Sequence, residues 1–233
     1  MNLIFDVDDT LYNLMKPFED TYNNMFGDKY DIPIVDLHKK YRKYSDEIFE
    51  LIQHGSMTIR DLQIQRITRS LGDYGVHIDE EQALEFQQQY LSNQNKIVLL
   101  EGIRDVLDFA KEHGLKVGII TNGEVDHQMK KVRNLGVEKW IKEDDIFVAG
   151  GSILPKPHKD IFKYVEEKMD LDPKDTYYVG DTFANDVVGA KRAGWKSIWI
   201  NRRKFAAPSE SEYCPDYEAN SDQELLDIIK GLI

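Results

Sequence analysis

The first ten residues constrain the fold most. Leu3-Ile4-Phe5 is apolar enough to demand burial, yet the run passes directly into Asp6-Val7-Asp8-Asp9-Thr10. Burying unpaired carboxylates is costly, so the chain needs a fold in which a buried strand ends in a crevice that can balance charge. An open α/β sheet is such a fold, because its ligand crevice lies at the carboxyl ends of the strands. Alternation along an extended chain predicts Asp6 and Asp8 on one side and Val7 on the other. Two carboxylates aimed at one crevice suit a hard cation, and oxygen-only ligation favours Mg²⁺ over zinc. Taken alone, the segment also reads as the capped start of a helix with solvated Asp residues.

The rest of the chain supplies the sheet. Lys116–Ile120, Thr176–Val179 and Ser197–Ile200 are further strand-like runs, with Ile146–Ala149 a weaker one. Near-continuous apolar runs predict strands covered on both faces. Helical patterns lie between them at Ile103–Glu112, Lys159–Met169 and Phe183–Ala193, and the first and third stop near Gly114 and Gly194. This alternation reads as a doubly wound α/β domain. Residues 14–97 break the rhythm. Their apolar residues fall at helical spacing and no buried strand is evident, so a helical insert (14–97) interrupts an α/β domain (1–13 and 98–233). Gly55-Ser56-Met57-Thr58 reads as a turn, with Thr58 or Ser56 capping the next helix. The tail is expected to add a short extended piece and a helix over Gln223–Lys230.

The other strand ends carry chemistry as well. The second closes with Thr121-Asn122-Gly123, where a glycine lets the backbone approach a ligand. Lys156-Pro157 follows the third strand, and Val179-Gly180-Asp181-Thr182 closes the next, with Asn185-Asp186 a turn further on. Each alone has an ordinary reading, as a strand-to-helix turn or a solvated loop lysine. Together they aim carboxylate, hydroxyl, ammonium and carboxylate at one crevice.

In this order, Asp-x-Asp-x-Thr, Thr-Asn-Gly, Lys-Pro and Gly-Asp-x-x-x-Asn-Asp resemble the four motifs of the haloacid dehalogenase (HAD) superfamily of phosphohydrolases, from Asp6 to Asp186. The insert resembles the helical C1 cap of subclass I. The resemblance implies a Rossmann-like parallel-sheet core, a mobile helical cap, Mg²⁺ dependence and hydrolysis of a small phosphorylated metabolite. It implies Asp6 as the nucleophile that becomes aspartyl-phosphate, and Asp8 as the general acid–base. The metal would take the Asp6 and Asp181 carboxylates and the Asp8 backbone carbonyl. Thr121 and the Asn122 amide would hold the phosphoryl group, Lys156 would offset charge, and Asp186 would orient Lys156 or a metal-bound water. Asp9 matches a variable position and receives no role. An Asp at position 8 favours a phosphatase over a dehalogenase; a sugar-phosphate mutase of the same fold stays open. Gln53–Thr58, Ile119–Gly123 and Lys159–Phe162 are similar to the bacterial pyrimidine 5′-nucleotidase-like branch, which implies a nucleoside monophosphate. A phosphoacceptor switch fits poorly, since its lysine follows the last strand whereas Lys156 precedes Asp181. A non-catalytic binding protein is disfavoured because no motif has been lost.

Charge limits the partners. Thirty Lys and Arg against 42 Asp and Glu give −12, a field that disfavours nucleic-acid polymers and anionic membranes. No run is long enough for a membrane helix, and Asp6, Asp8 and Asp9 sit where a leader would be apolar. With one cysteine, Cys214, no internal disulfide can form; a cytoplasmic setting is expected, and oligomeric state is left open. The six histidines show no metal-binding pair, and His158 is the one near a motif. Lys130-Lys131 and Arg202-Arg203-Lys204 read as solvated faces, and Trp140, Trp195 and Trp199 as packing residues.

Overall fold

Six parallel strands form one sheet in the order β3-β2-β1-β4-β5-β6 among the residues that the computed structural model describes, 1–150 and 154–233. They are β1 (Asn2–Phe5), β2 (Lys116–Asn122), β3 (Ile146–Ala149), β4 (Thr176–Gly180), β5 (Lys196–Ile200) and β6 (Tyr217–Ala219). The chain runs outwards from β1 to β3, then crosses back to β4. Neighbours β1 and β4 therefore flank the point where the strand order reverses, the place where such sheets bind ligands. Phe5 is in register with Ile119 on one side and Val179 on the other.

Burial follows this order. Every residue of β1 and β4 is buried, whereas the edge strands β3 and β6 are largely half-buried or exposed. Central strands covered on both faces explain why Leu3-Ile4-Phe5 is apolar throughout. On one face Ile4, Ile120 and Tyr178 join Ile161, Phe162, Val165 and Trp195. Phe162 meets Tyr178 and Trp195 edge-on, with ring centroids 5.2 and 5.4 Å apart.

Two compact units emerge, Met1–Asn13 with Val98–Ile233, and Leu14–Ile97. Besides the sheet, the first holds α5 (Glu101–Glu112), α6 (Val125–Leu135), α7 (Lys159–Met169), α8 (Val188–Ala193) and α9 (Asp222–Lys230). α6 was not expected, because its sequence mixes charge with few apolar residues. The helix expected from Phe183 opens instead with a π-helical turn, Phe183–Val187, that leads into α8. The expected tail is present as β6 and α9.

The second unit is helical: α1 (Lys16–Met25), α2 (Ile34–Gln53), α3 (Ile59–Gly72) and α4 (Glu80–Gln94). Its core is aromatic, built from Phe18, Tyr22, Phe26, Tyr41, Phe86 and Tyr90 with Leu37, Ile67 and Leu71. Thr58 caps α3: its hydroxyl accepts from the Asp61 amide at 3.2 Å, and Asp61 accepts from the Thr58 amide at 2.8 Å. Gln53 closes α2, and its side chain lies outside the described ones. No described helix is long and apolar enough to cross a membrane.

These two kinds of contact differ in weight. Phe162→Ala should cost about 3–5 kcal/mol, since it empties a fully buried ring site. Thr58→Ala should cost about 1 kcal/mol, the usual worth of an exposed cap. Urea unfolding of both variants checks the ranking; an equal loss would contradict it.

Candidate active site

β1 ends at Phe5, and the Asp6 amide still bonds to the Val179 carbonyl at 2.9 Å. The chain then turns: Thr10 and Leu11 donate to the Val7 carbonyl, and Asp9 adopts φ 58°. The strict alternation expected through Asp8 therefore stops early. Asp6 and Asp8 face different partners.

Asp6 is 6% exposed and meets Lys156, whose Nζ lies 2.7 Å from its Oδ1. The same ammonium donates to Asp186 Oδ1 and to the Tyr178 hydroxyl, each at 2.7 Å. All three protons of Lys156 are thereby placed. The Tyr178 hydroxyl donates in turn to the Ile120 carbonyl at 2.6 Å, which ties the lysine to β2 and β4. The Lys156 backbone is gripped too. Its amide donates to Asn122 Oδ1 and its carbonyl accepts from Asn122 Nδ2, both at 2.9 Å. The Asn122 side chain thus serves Lys156, while Thr121 beside it is 1% exposed in β2. The Lys156–Pro157 peptide is cis.

Asp181 follows β4 directly and is half-buried; its carbonyl accepts from Trp199 Nε1 at 2.8 Å. Asp186 sits in the π-helical turn with both oxygens committed, Oδ1 to Lys156 and Oδ2 to the Thr182 amide at 2.8 Å. It packs so tightly on Gly180 that a β-carbon there would lie 2.4 Å from Asp186 Oδ2. Glycine is required at this point. Carboxylate oxygens of Asp6, Asp181 and Asp186 lie within 4.8 Å of one another.

Three carboxylates against one ammonium leave this cluster short of positive charge. Burial pushes Asp6 up to about 7, with Lys156 opposing and Asp186 and Asp8 adding to the rise. Burial likewise pushes Asp181 up to about 8, helped by repulsion from Asp6, Asp186 and Asp9. The Lys156 ammonium resists its own burial because Asp186 and Asp6 hold it charged, well above the usual lysine range. An all-oxygen donor set with excess negative charge fits a hard divalent cation. Asp186, already doubly hydrogen-bonded, suits an outer position that fixes Lys156.

Asp8 belongs to a second charge pair. Lys131, 6% exposed, places Nζ 2.7 and 2.9 Å from the two Asp8 oxygens. Gln128 Nε2 donates to Oδ2 at 3.1 Å, and the Tyr12 hydroxyl donates to Oδ1. Burial raises Asp8, but Lys131, Tyr12 and Gln128 outweigh it and hold the carboxyl below the usual range.

The basic runs expected on solvated faces are partly structural. Lys131 is buried, and Arg202 donates to the carbonyls of Asp9 and Thr10 at 2.7 and 3.1 Å and to Asp222. Arg203 pairs with Asp9 at 2.5 Å. The loop after β1 is thus pinned by residues nearly two hundred positions later. Lys131 was legible in one respect. Gln128, Lys131, Val132 and Leu135 are the buried residues of α6, an i, i+3, i+4, i+7 stripe that begins with two polar side chains. His158 caps α7 by accepting from the Asp160 amide. Trp195 and Trp199 are buried, whereas Trp140 is half-buried and donates to Asp108.

A family model described as haloacid dehalogenase-like hydrolase matches residues 1–194. The HAD-hydrolase YfnB of Bacillus subtilis is 27% identical over 229 residues, covering 97% of this chain and 94% of that protein. Its structure, solved with magnesium bound, superposes with a TM-score of 0.71 at 28% identity, over 98% of this chain and 97% of that one. A glyceraldehyde 3-phosphate phosphatase of Methanopyrus kandleri is 28% identical over 240 residues, covering 99% and 97%. The pyrimidine 5′-nucleotidase PynA of Streptococcus pneumoniae is 22% identical over 228 residues, covering 97% and 94%. With its four motifs gathered at the carboxyl ends of one parallel sheet, the chain belongs to the haloacid dehalogenase-like hydrolases.

Proposed function

We propose that this hydrolase is a Mg²⁺-dependent phosphatase that cleaves a small phosphomonoester through an aspartyl-phosphate on Asp6. The observation that carries the reading is the cluster of Asp6, Asp181 and Asp186, three carboxylates with one ammonium, Lys156, paired to Asp6 and Asp186. A phosphate ester brought beside Asp6 would only add to that deficit. Asp6, Asp181 and the Asp8 carbonyl would hold Mg²⁺, which would supply the missing positive charge when bound.

The remaining work falls to the chain. Lys156 binds Oδ1 of Asp6, which leaves Oδ2, with no hydrogen bond from the described residues, as the oxygen of this reading that attacks phosphorus. Thr121 and the Asn122 amide hold the transferring group in line, which is most of what phosphoryl transfer requires. Lys156 spreads its charge over Asp6 and the incoming phosphoryl, and Asp186 keeps it there. Asp8 acts from its protonated form: it gives that proton to the departing oxygen and, now a carboxylate, takes one from the water that opens the acyl-phosphate, which returns it to the acid. The helical unit, residues 14–97, acts as the cap that selects the leaving group. The single exposed thiol, Cys214, fits a cytoplasmic setting.

Phosphatase chemistry is favoured over dehalogenation because position 8 is a carboxylate, a group that can exchange a proton with a leaving oxygen. Relatives that act on a triose phosphate and on pyrimidine nucleotides frame the substrate class. A panel of nucleoside 5′-monophosphates, triose phosphates and sugar phosphates ranks them. A mutase would instead convert one sugar phosphate into its isomer without releasing phosphate.

Hydrolysis of p-nitrophenyl phosphate tests the core of this reading. Turnover should need Mg²⁺, stop with EDTA and fall to background in Asp6→Asn; a variant that keeps turning over would remove Asp6 as nucleophile.

The raised carboxylates give a second test. Protons and the cation compete for the same oxygens, so Mg²⁺ should bind more tightly as pH rises through about 7 and about 8 and release protons on binding. Stability should move the other way. Carboxyls raised in the folded state stabilise it below the ordinary carboxylate range, and that contribution is lost as pH climbs through those values. The metal-free protein should therefore melt at progressively lower temperature from about pH 4 to about pH 8, with these two groups adding no further slope above that, and Mg²⁺ should oppose the decline. Calorimetric titration and thermal melts read both; Mg²⁺ affinity independent of pH would contradict the cluster's assigned charge.

A further inference from the structure

We propose that Lys131 and Gln128 are positioning residues that fix the Asp8 carboxylate for proton transfer, a role outside the four motifs that rests on reading Asp8 as the acid–base. Three observations converge. Lys131 engages both Asp8 oxygens from a buried site, at 2.7 and 2.9 Å. A buried ion pair is poor value as a stability device, since apolar residues of similar size commonly do as well or better. Its use here is to aim a carboxylate.

Gln128 adds direction. Its Nε2 donates to Asp8 Oδ2 at 3.1 Å and to the Asn122 carbonyl at 2.8 Å. One amide group therefore spans the proton-transfer residue and the end of β2, where Thr121 and the Asn122 amide are assigned to the phosphoryl group. The span sets how far the proton donor stands from the phosphorus it serves. Space for it is built in: Gly123 has φ 144°, and a β-carbon there would lie 2.8 Å from Gln128 Nε2. Glycine at 123 lets the amide pass.

The third observation is the register of α6. Gln128 and Lys131 are three residues apart, on one face, and their stripe continues into Val132 and Leu135. The apolar half anchors the helix and the polar half reaches Asp8. With Tyr12 also donating to Oδ1, four contacts from three side chains hold the carboxylate.

Substrates with different leaving groups separate positioning from general structural damage. An alkyl phosphate needs a proton on its departing oxygen, whereas p-nitrophenolate departs without one. The comparison uses kcat/KM, which stops at the first irreversible step. Lys131→Met should lower kcat/KM for an alkyl phosphate by about 10²-fold, the scale of a misplaced reacting group, and leave that for p-nitrophenyl phosphate nearly unchanged. Gln128→Ala should shift the ratio in the same direction by less, and Lys131→Arg should restore much of it. In an Asp8→Asn background, Lys131→Met should have no further effect. Equal losses on both substrates, or a further loss in the double variant, would overturn the positioning role. If Asp8→Asn alone showed no leaving-group dependence, the assignment of Asp8 itself would fall, and the two failures are thereby distinguished.

Discussion

The ammonium of Lys156 holds the centre of this molecule together. It is buried, it has three protons, and each is spent on a different element: Asp6 after β1, Asp186 in the turn after β4, and Tyr178 within β4. Tyr178 carries the link on to the Ile120 carbonyl in β2. The three strands at the reversal of strand order are thus joined through one charge. Removing that charge would leave buried carboxylates facing one another without compensation, the costly half of a broken ion pair. The reciprocal bonds between Asn122 and the Lys156 backbone place the lysine from a third direction, so its position is set before any ligand arrives.

Topology explains why these residues can meet. Asp6, Thr121 and Asp181 are more than a hundred residues apart at the extremes, yet each leaves the sheet at the same edge because all six strands are parallel. Strand ends leave backbone and side-chain groups unsatisfied by the ladder, which makes them natural places for chemistry. Gly180 shows how closely the parts are fitted, since even one methyl group there would displace Asp186.

Much of this was legible in the sequence, for reasons of spacing and burial. Strands buried on both faces are apolar, so β1, β2 and β4 stood out, and the carboxylates at the ends of β1 and β4 pointed to a site once they were taken together with Thr121 and Lys156. That Asp186 orients Lys156 was one of two roles the family resemblance implied for it, and Lys156 Nζ lies 2.7 Å from Asp186 Oδ1. What stayed hidden depended on distant partners. α6 carries Lys131 and Gln128 on a buried stripe, but polar residues there look like a solvated surface until Asp8 is seen against them. Arg202 was similarly opaque: its acceptors are backbone carbonyls of Asp9 and Thr10, which no side-chain pattern announces. The π-helical turn at Phe183–Val187 carries Asp186 against Gly180, a tertiary contact that no helical pattern in the sequence announces.

Two buried lysines divide the labour of the two carboxylates in Asp-x-Asp. Lys156 is shared among three acceptors and cannot neutralise Asp6, Asp181 and Asp186 together, so Asp6 stays raised and responsive to added positive charge. Lys131 is devoted to Asp8, which is lowered. A bound cation changes the local field around the first group most strongly and reverses its pKa logic, while the second keeps its own counter-charge. Without the cation the two directions run against the proposed tasks, because a nucleophile must be ionised and a general acid protonated, so added positive charge beside Asp6 is a necessary part of that reading. The turn after Phe5 makes the separation possible: by ending the strand before Asp8, it lets one carboxylate face the gap between β1 and β4 and the other face α6.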